Sequence, residues 1–255
     1  MHLNHSIEMN RFSLILTKQE STSYSLDDIY SSTATFPSLD YNIHTTTGDV
    51  TFDMSIKYHC PFLYWRFIEI VGSCNGLICL ISDTEFLGIW NLIAQEYNKL
   101  PQIPKVSPQT QNLLPPIAHV ATYGFGYDCK TGVYKIVQIV TAGCDMFSQV
   151  RVCTLGTDSW RLLNYIPYMF YLYGKANGVL LDGILHWLVH PCNGVNKPIR
   201  VILSFNVGEE TFVEMQLPKP LCSAPEGEHY FKTNIGLLDG KLCLSWNLGD
   251  GNVDV

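Results

Sequence analysis

Residues 178–189 read GVLLDGILHWLV and carry a complete β-hairpin signal. Apolar runs flank the pair Asp182-Gly183, and an Asp-Gly pair tolerates the positive φ angles that a two-residue hairpin turn requires. The same plan returns at residues 235–246, IGLLDGKLCLSW, around a second Asp-Gly pair. The chain therefore repeats a strand–turn–strand unit.

Two further stretches follow this plan, IVGSCNGLICLI at residues 70–81 and YGFGYDCKTGVYKIVQIV at residues 123–140. The glycines that close the four turns recur at intervals of 56, 51 and 57 residues; these structural turn glycines are Gly76, Gly132, Gly183 and Gly240. A second hairpin follows the first at residues 88–101, 150–164 and 202–218. Four strands in a unit of about 50 residues is the plan of a β-propeller blade.

The repeat predicts an all-β fold, an incomplete kelch-like β-propeller domain of four-stranded blades that covers residues 1–255. A β-sandwich also explains alternating strands, but it does not explain the regular glycine spacing. The blades are expected at residues 66–101, 119–164, 174–217 and 232–255. Further strand pairs are expected within residues 11–29 and 48–64. Because the last blade stops inside its third strand, the chain is expected to be truncated at both ends.

The composition and net charge of the chain limit the kinds of molecule that it is expected to bind. The net charge of −7 disfavours nucleic acid and anionic membranes, whose binding proteins present basic faces, and it is compatible with a basic protein partner. The sequence contains no run of about 18 apolar residues, so no membrane span is predicted. The amino end lacks a signal-peptide pattern, and the nine cysteines show no pairing pattern, so we interpret them as reduced thiols in a cytoplasmic protein.

Catalytic and metal-binding patterns are weak. Residues 72–76, Gly-Ser-Cys-Asn-Gly, have the spacing of a nucleophile elbow, but that geometry needs a helix next, and residues 77–81 read as a strand. His186 and His190 lie four apart, which on a strand separates them by about 13 Å, too far to share one metal ion. We predict no catalytic residue, no metal, no cofactor and no enzyme activity; a cysteine hydrolase that uses Cys74 is the alternative.

These stretches, with IWNLIAQEYNKLP, VCTLGTDSWRLL and ILSFNVGEETFVEMQLP in order between them, resemble a plant F-box-associated domain over nearly the whole chain. The first residues, MHLNHSIEMNRFSLILT, and the ending GNVDV resemble most closely the S-locus F-box proteins and their relatives. The family's F-box precedes the residues that resemble HLNHS. The chain is therefore expected to be a fragment that lacks the F-box.

The resemblance implies a substrate receptor of a cullin-type (SCF) ubiquitin ligase, in which the F-box docks on a Skp-type adaptor and the associated domain selects the protein target. In S-locus members the targets are style S-ribonucleases, and recognition of non-self forms in the pollen-tube cytosol leads to their ubiquitination. The chain would reach the adaptor and the cullin only through the missing F-box. Two alternatives are an S-locus-like paralogue with another protein target and a propeller that only scaffolds interactions.

Strand direction predicts where a target would bind. In a meander the first and third turns share one face, so the short turns lie together, and the opposite face carries the longer segments 102–118, 142–148, 190–199 and 218–231. Loops on a rigid scaffold commonly carry recognition. The predicted partner-binding residues, which would steer a basic ribonuclease, are Asp83, Glu85, Asp145, Glu226 and Glu228. Alternatively, the long loops tolerate insertions and carry charge for solubility.

Overall fold

The β-strand is the regular element throughout the part of the chain that the computed structural model describes. Contacts within the chain divide it into a first unit, residues 1–70 with 75–99, and a second unit, residues 71–74 with 100–255. The described residues are 11–15, 35–43, 50–59, 68–82, 86–91, 93–104, 120–141, 147–170, 177–192, 200–218, 233–247 and 253–254. None of them forms a helix with the length and hydropathy of a membrane span.

The amino-terminal sheet has three antiparallel strands in chain order, β1 (Arg11–Ile15), β2 (Thr35–Ile43) and β3 (Val50–His59). The partner of β1 is β2, which begins beyond the stretch 11–29 where a strand pair was expected; residues 16–29 lie outside the described residues. In the stretch 48–64, where another strand pair was expected, residues 50–59 form the single strand β3, and residues 60–64 lie outside the described residues. Its sequence, VTFDMSIKYH, alternates apolar and polar residues without a turn signal.

The next sheet is a four-stranded meander whose strand order follows the chain. Its strands are β4 (Ile68–Cys74), β5 (Leu77–Ser82), β6 (Leu87–Asn91) and β7 (Glu96–Lys99). The Asn91 side chain begins the last turn, because its Oδ1 accepts the N–H groups of Ile93 and Ala94 at 3.2 and 3.1 Å. Such an Asx turn is the reason that asparagine favours this position.

The next sheet, in the second unit, is another four-stranded meander whose strand order follows the chain. Its strands are β8 (Val120–Asp128), β9 (Val133–Thr141), β10 (Ser148–Thr154) and β11 (Trp160–Ile166). A bulge interrupts the pairing of β10 with β11 between Val150 and Arg151. Bulges commonly limit pairing at the edge of a sheet, where β11 lies.

In the following sheet, two short strands occupy the position of the first strand. Its strands are β12 (Tyr168–Met169), β13 (Val179–Leu181), β14 (Ile184–Pro191), β15 (Val201–Asn206) and β16 (Thr211–Gln216). Both β12 and β13 pair with the same edge of β14, the former near its carboxyl end and the latter near its amino end. The blade expected from residue 174 therefore has a strand of its sheet before that start.

The last sheet contains β17 (Thr233–Leu238), β18 (Lys241–Asn247) and the two-residue β19 (Val253–Asp254), again antiparallel and in chain order. Buried side chains join the three sheets of the second unit. Strands β13 and β14 contact β8 on one side and β17 on the other. The β12–β16 sheet therefore packs between its neighbours, as adjacent blades of a propeller do.

The core between the β8–β11 and β12–β16 sheets centres on Trp187, which is 1% exposed. Other buried members of this core are Val137, Ile139, Val150, Val152, Leu185, Val189, Leu203 and Phe205. Two glycines make room for the indole: a Cβ atom would lie 2.8 Å from it at Gly124 and 2.5 Å from it at Gly178. These glycines are packing positions, unlike the turn glycines.

Candidate protein-binding surface

The thiol of Cys74 lies at a hairpin corner. Cys74 ends β4, and the turn Asn75-Gly76 leads directly into β5, so the helix that a nucleophile elbow requires does not follow. Burial raises the pKa of this thiol, and a hydrogen bond with the backbone of Tyr127 only partly opposes that increase. A raised pKa keeps the sulfur protonated near neutral pH, which disfavours nucleophilic chemistry.

We expect Cys74 to react slowly with iodoacetamide at pH 7.5, because the thiolate is the reacting form. Cys129, which is exposed, serves as the internal reference. Mass spectrometry of the folded chain should show modification of Cys129 well before Cys74. Faster alkylation at Cys74 than at Cys129 would return Cys74 to consideration as a nucleophile.

The two histidines have separate structural partners. His186 and Ser204 are both buried, their Nδ1 and Oγ atoms lie 2.8 Å apart, and burial lowers the pKa of the imidazole. His190 Nε2 accepts a hydrogen bond of 3.2 Å from Nε of Arg200. In the described part of the chain, no group of three or more His, Cys, Asp or Glu side chains is arranged to hold a metal ion.

The four predicted turn glycines lie at the corners between the first two strands of successive sheets. Each has a positive φ angle; the values are +80° at Gly76, +75° at Gly132, +78° at Gly183 and +67° at Gly240. The preceding residues Asn75, Asp182 and Asp239 also have positive φ angles, as in the turn type that favours Asn-Gly and Asp-Gly. These corners are short and leave little loop for contacting a partner.

A buried ionic network joins β8 and β9 to the turn before β16. Nζ of Lys135 donates to the carbonyl of Val207 at 2.9 Å and lies 3.4 Å from Asp128 Oδ2 and 3.1 Å from Glu210 Oε1. Glu210 also pairs with Arg161 of β11. Burial alone would raise the pKa of Glu210, but its bonds with Arg161 and Lys135 outweigh burial and lower it. The network therefore fixes this turn against the neighbouring sheet.

Asp128 anchors the same network and its own turn. Its side chain accepts a 2.6 Å hydrogen bond from the Thr131 hydroxyl and a 2.9 Å bond from the Lys130 N–H. The Thr131 hydroxyl is the largest cause of a pKa lowered to about 2, against an ordinary value of 3.8. A lowered pKa means that the folded chain binds this proton less readily than the unfolded chain.

The stabilising contribution of Asp128 should therefore be complete above about pH 4 and be lost as the pH falls through about 2. We expect the difference in unfolding free energy between the unmodified chain and Asp128→Asn to be constant from pH 7 to 4 and to shrink below. Urea titrations at pH 7, 4 and 2 measure this difference. A difference that stays constant down to pH 2 would show that the carboxylate does not have this lowered pKa.

Residues 100–104, Leu-Pro-Gln-Ile-Pro, lie against β10 and β11. The Trp160 indole N–H donates to the carbonyl of Pro101 at 3.1 Å, and Nη1 of Arg151 donates to the carbonyl of Pro104. Arg151 is only 7% exposed, and burial lowers the pKa of its guanidinium. This contact was not predicted from the sequence; two prolines three residues apart, Pro101 and Pro104, indicate an extended segment but not its partners.

The five predicted acidic residues, Asp83, Glu85, Asp145, Glu226 and Glu228, lie outside the described residues. So do most residues of the long segments 102–118, 142–148, 190–199 and 218–231. The structure therefore shows the positions of the short corners and of residues 100–104. The long-loop binding face remains a prediction.

A family model described as an F-box associated beta propeller domain matches residues 22–245. The chain belongs to this family. The predicted all-β, propeller-type fold and the predicted F-box-associated family are thereby confirmed. Membership also explains why successive sheets of this F-box-associated domain repeat one hairpin plan around glycine corners.

Curated relatives of this F-box-associated domain are Arabidopsis thaliana F-box proteins. F-box protein CPR1 is 28% identical over 73% of this chain and 48% of the relative. F-box protein At3g07870 is 31% identical over 69% of this chain and 43% of the relative, and F-box/kelch-repeat protein At3g23880 is 25% identical over 74% and 48%. The chain thus spans about half the length of these relatives.

Proposed function

We propose that this chain is the substrate-recognition domain of an F-box protein in an SCF-type E3 ubiquitin ligase. The match of residues 22–245 to an F-box associated beta propeller domain carries this proposal. The similarity to F-box proteins of Arabidopsis thaliana supports it. In this role the chain binds a target protein and performs no chemistry itself, while an F-box connects it to a Skp-type adaptor and a cullin.

The proposed targets are style S-ribonucleases, recognised in the pollen-tube cytosol during gametophytic self-incompatibility. The likeness of MHLNHSIEMNRFSLILT and GNVDV to S-locus F-box proteins supports this finer assignment. The net charge of −7 also suits a basic protein partner, because opposite charges accelerate encounter and select among variants. An S-locus-like paralogue with a different protein target is the alternative.

Target binding is proposed to use the long-loop face and its acidic residues, Asp83, Glu85, Asp145, Glu226 and Glu228. The tight Asn-Gly and Asp-Gly corners favour this choice, because they offer few side chains for recognition. Acidic side chains at a binding rim mainly affect the association rate and its dependence on salt.

Surface plasmon resonance against a panel of purified S-ribonucleases tests this proposal. Reversing the five loop charges to lysine should reduce the association rate at low salt by about tenfold or more. Asp158→Lys is the matched control, since Asp158 is an exposed turn residue between β10 and β11 and should leave binding unchanged. Failure of the unmodified chain to bind any ribonuclease would favour the paralogue, and unchanged binding after all five reversals would refute the acidic face.

A further inference from the structure

Residues 100–104, here called the strap, are held by side chains of the sheet rather than by a backbone ladder. Among the described residues, the strap makes no backbone–backbone hydrogen bond. Its anchors are the buried side chains of Leu100 and Ile103 and the carbonyls of Pro101 and Pro104. Two prolines three residues apart match one turn of a polyproline II helix, whose backbone carbonyls are free to accept hydrogen bonds.

Strand β10, which contacts the strap through Arg151, has unused hydrogen-bonding capacity. Arg151 is more than nine-tenths buried, and Nη1 makes both of its hydrogen bonds, to Pro104 O and to Gln138 Oε1. No carboxylate of the described residues pairs with it. Two residues earlier on β10, Oε1 of Gln149 is buried and has no hydrogen-bond partner among the described residues. Within that part of the chain, a cation without a carboxylate partner and an acceptor without a donor therefore share one strand.

Exposed apolar side chains continue this surface along β11. Leu162 lies opposite Arg151 in the sheet register and is 49% exposed. Tyr165 lies opposite Gln149, is 60% exposed, and accepts the hydrogen bond of the Gln149 amide through its hydroxyl. Donors for carbonyl groups, with aromatic and aliphatic side chains beside them, are the features by which proteins bind extended proline-containing peptides.

We propose that the strap is the internal occupant of a peptide-binding groove formed by Trp160, Arg151 and Gln149. In a complex, this groove takes an extended, proline-containing segment of a protein partner, with a carboxylate paired to Arg151. The inference rests on the proposed function in taking that partner to be the target protein. The segment replaces the strap in the groove, and Leu162 and Tyr165 extend its contact surface.

A partner segment that carries a carboxylate should bind Arg151 more strongly than the strap does. The strap offers Arg151 one neutral carbonyl, whereas a carboxylate neutralises the charge of the guanidinium and can accept two parallel hydrogen bonds from it. The strap is tethered, which gives it an effective concentration of the order of millimolar. A free peptide with the strap's own sequence should therefore compete poorly, and one that places aspartate at the position of Pro104 should compete better.

Fluorescence anisotropy with two labelled peptides tests this proposal on the full chain. One peptide is Leu-Pro-Gln-Ile-Pro with an amidated end, and the other ends in aspartate instead of the last proline. We expect the aspartate peptide to bind about tenfold more tightly, and Ile103→Ser, which loosens the strap, to strengthen binding of both. Arg151→Gln should remove the preference for aspartate. Arg161→Gln, which changes an arginine on the neighbouring strand outside the groove, should preserve it.

Nuclear magnetic resonance of the unmodified chain provides a second test that needs no substitution. The indole N–H resonance of Trp160, which donates to the carbonyl of Pro101, should shift when the aspartate peptide is added. Equal affinity for the two peptides, or an unchanged Trp160 indole resonance at saturating peptide, would overturn the proposal. If the Ile103→Ser chain forms dimers and binds neither peptide, the proposal is also overturned, because a second copy of the chain would then occupy the groove. If the chain still binds S-ribonuclease when one of these results overturns the groove proposal, the proposed function is unaffected.

Discussion

Replacing Gly178 by alanine is expected to lower the free energy of unfolding by about 3 kcal/mol. The added Cβ atom would lie 2.5 Å from Cε2 of Trp187, whose ring is 1% exposed and packs between two sheets. The backbone N–H of Gly178 is fixed by a 2.6 Å hydrogen bond to the carbonyl of Tyr123, so the backbone at Gly178 cannot easily move away from the indole. Urea titration of the unmodified and altered chains measures the loss.

Two comparisons isolate the contact with the indole. Gly236→Ala is the matched control, because a Cβ atom there would meet only Cys243 Sγ at 3.9 Å; we expect a loss below about 1 kcal/mol. Combining Gly178→Ala with Trp187→Phe should lose less stability than the sum of the separate changes, since the smaller ring frees the space. Additive losses, or equal losses at Gly178 and Gly236, would show that the indole does not impose glycine.

Replacing Lys135 by methionine is expected to destabilise the fold by about 3 kcal/mol. The methionine keeps most of the side-chain volume but leaves Asp128 and Glu210 without their shared cation, and the lysine side chain is only 9% exposed. It also removes the donor to the carbonyl of Val207. Chemical denaturation at pH 7, where both carboxylates are ionised, measures the effect.

An exposed lysine of the same region provides the control. Lys130 pairs with Glu209 at 3.1 Å, but these side chains are 71% and 56% exposed, so Lys130→Met should change stability by less than about 1 kcal/mol. Adding Asp128→Asn to Lys135→Met should recover part of the loss, because the Asp128 side chain is only 2% exposed and Lys135 is the cation that pairs with it among the described residues. Similar effects at Lys130 and Lys135 would contradict the assignment of a buried network.

The sequence predicted the four glycine corners and the strands beside them because their causes are local. The Asp-Gly pair at 182–183 both requires a turn and tolerates its φ angles, so one short stretch identified a hairpin that its neighbours repeat. The division of the first strand of the β12–β16 sheet was not predictable in this way. Tyr168 and Met169 form only a two-residue strand, and their pairing with β14 depends on tertiary structure rather than on periodicity.

The contacts of the candidate surface were harder to predict because their members are distant in the chain. Trp160 reaches the carbonyl of Pro101 across 59 residues, and Arg161 reaches Glu210 across 49. No spacing rule links such pairs, although each residue type suggests its chemistry. The predicted acidic binding face rests on strand direction and charge, and binding measurements test it.

Ubiquitination of a purified S-ribonuclease by a reconstituted ligase tests target selection itself. The receptor in this measurement is the chain joined to an F-box and assembled with its adaptor and cullin. We predict that ubiquitin conjugates form on a bound non-self ribonuclease and are greatly reduced when the five loop acids are changed to lysine. Equal conjugation by an assembly that carries the F-box without this chain would oppose a recognition role for the domain.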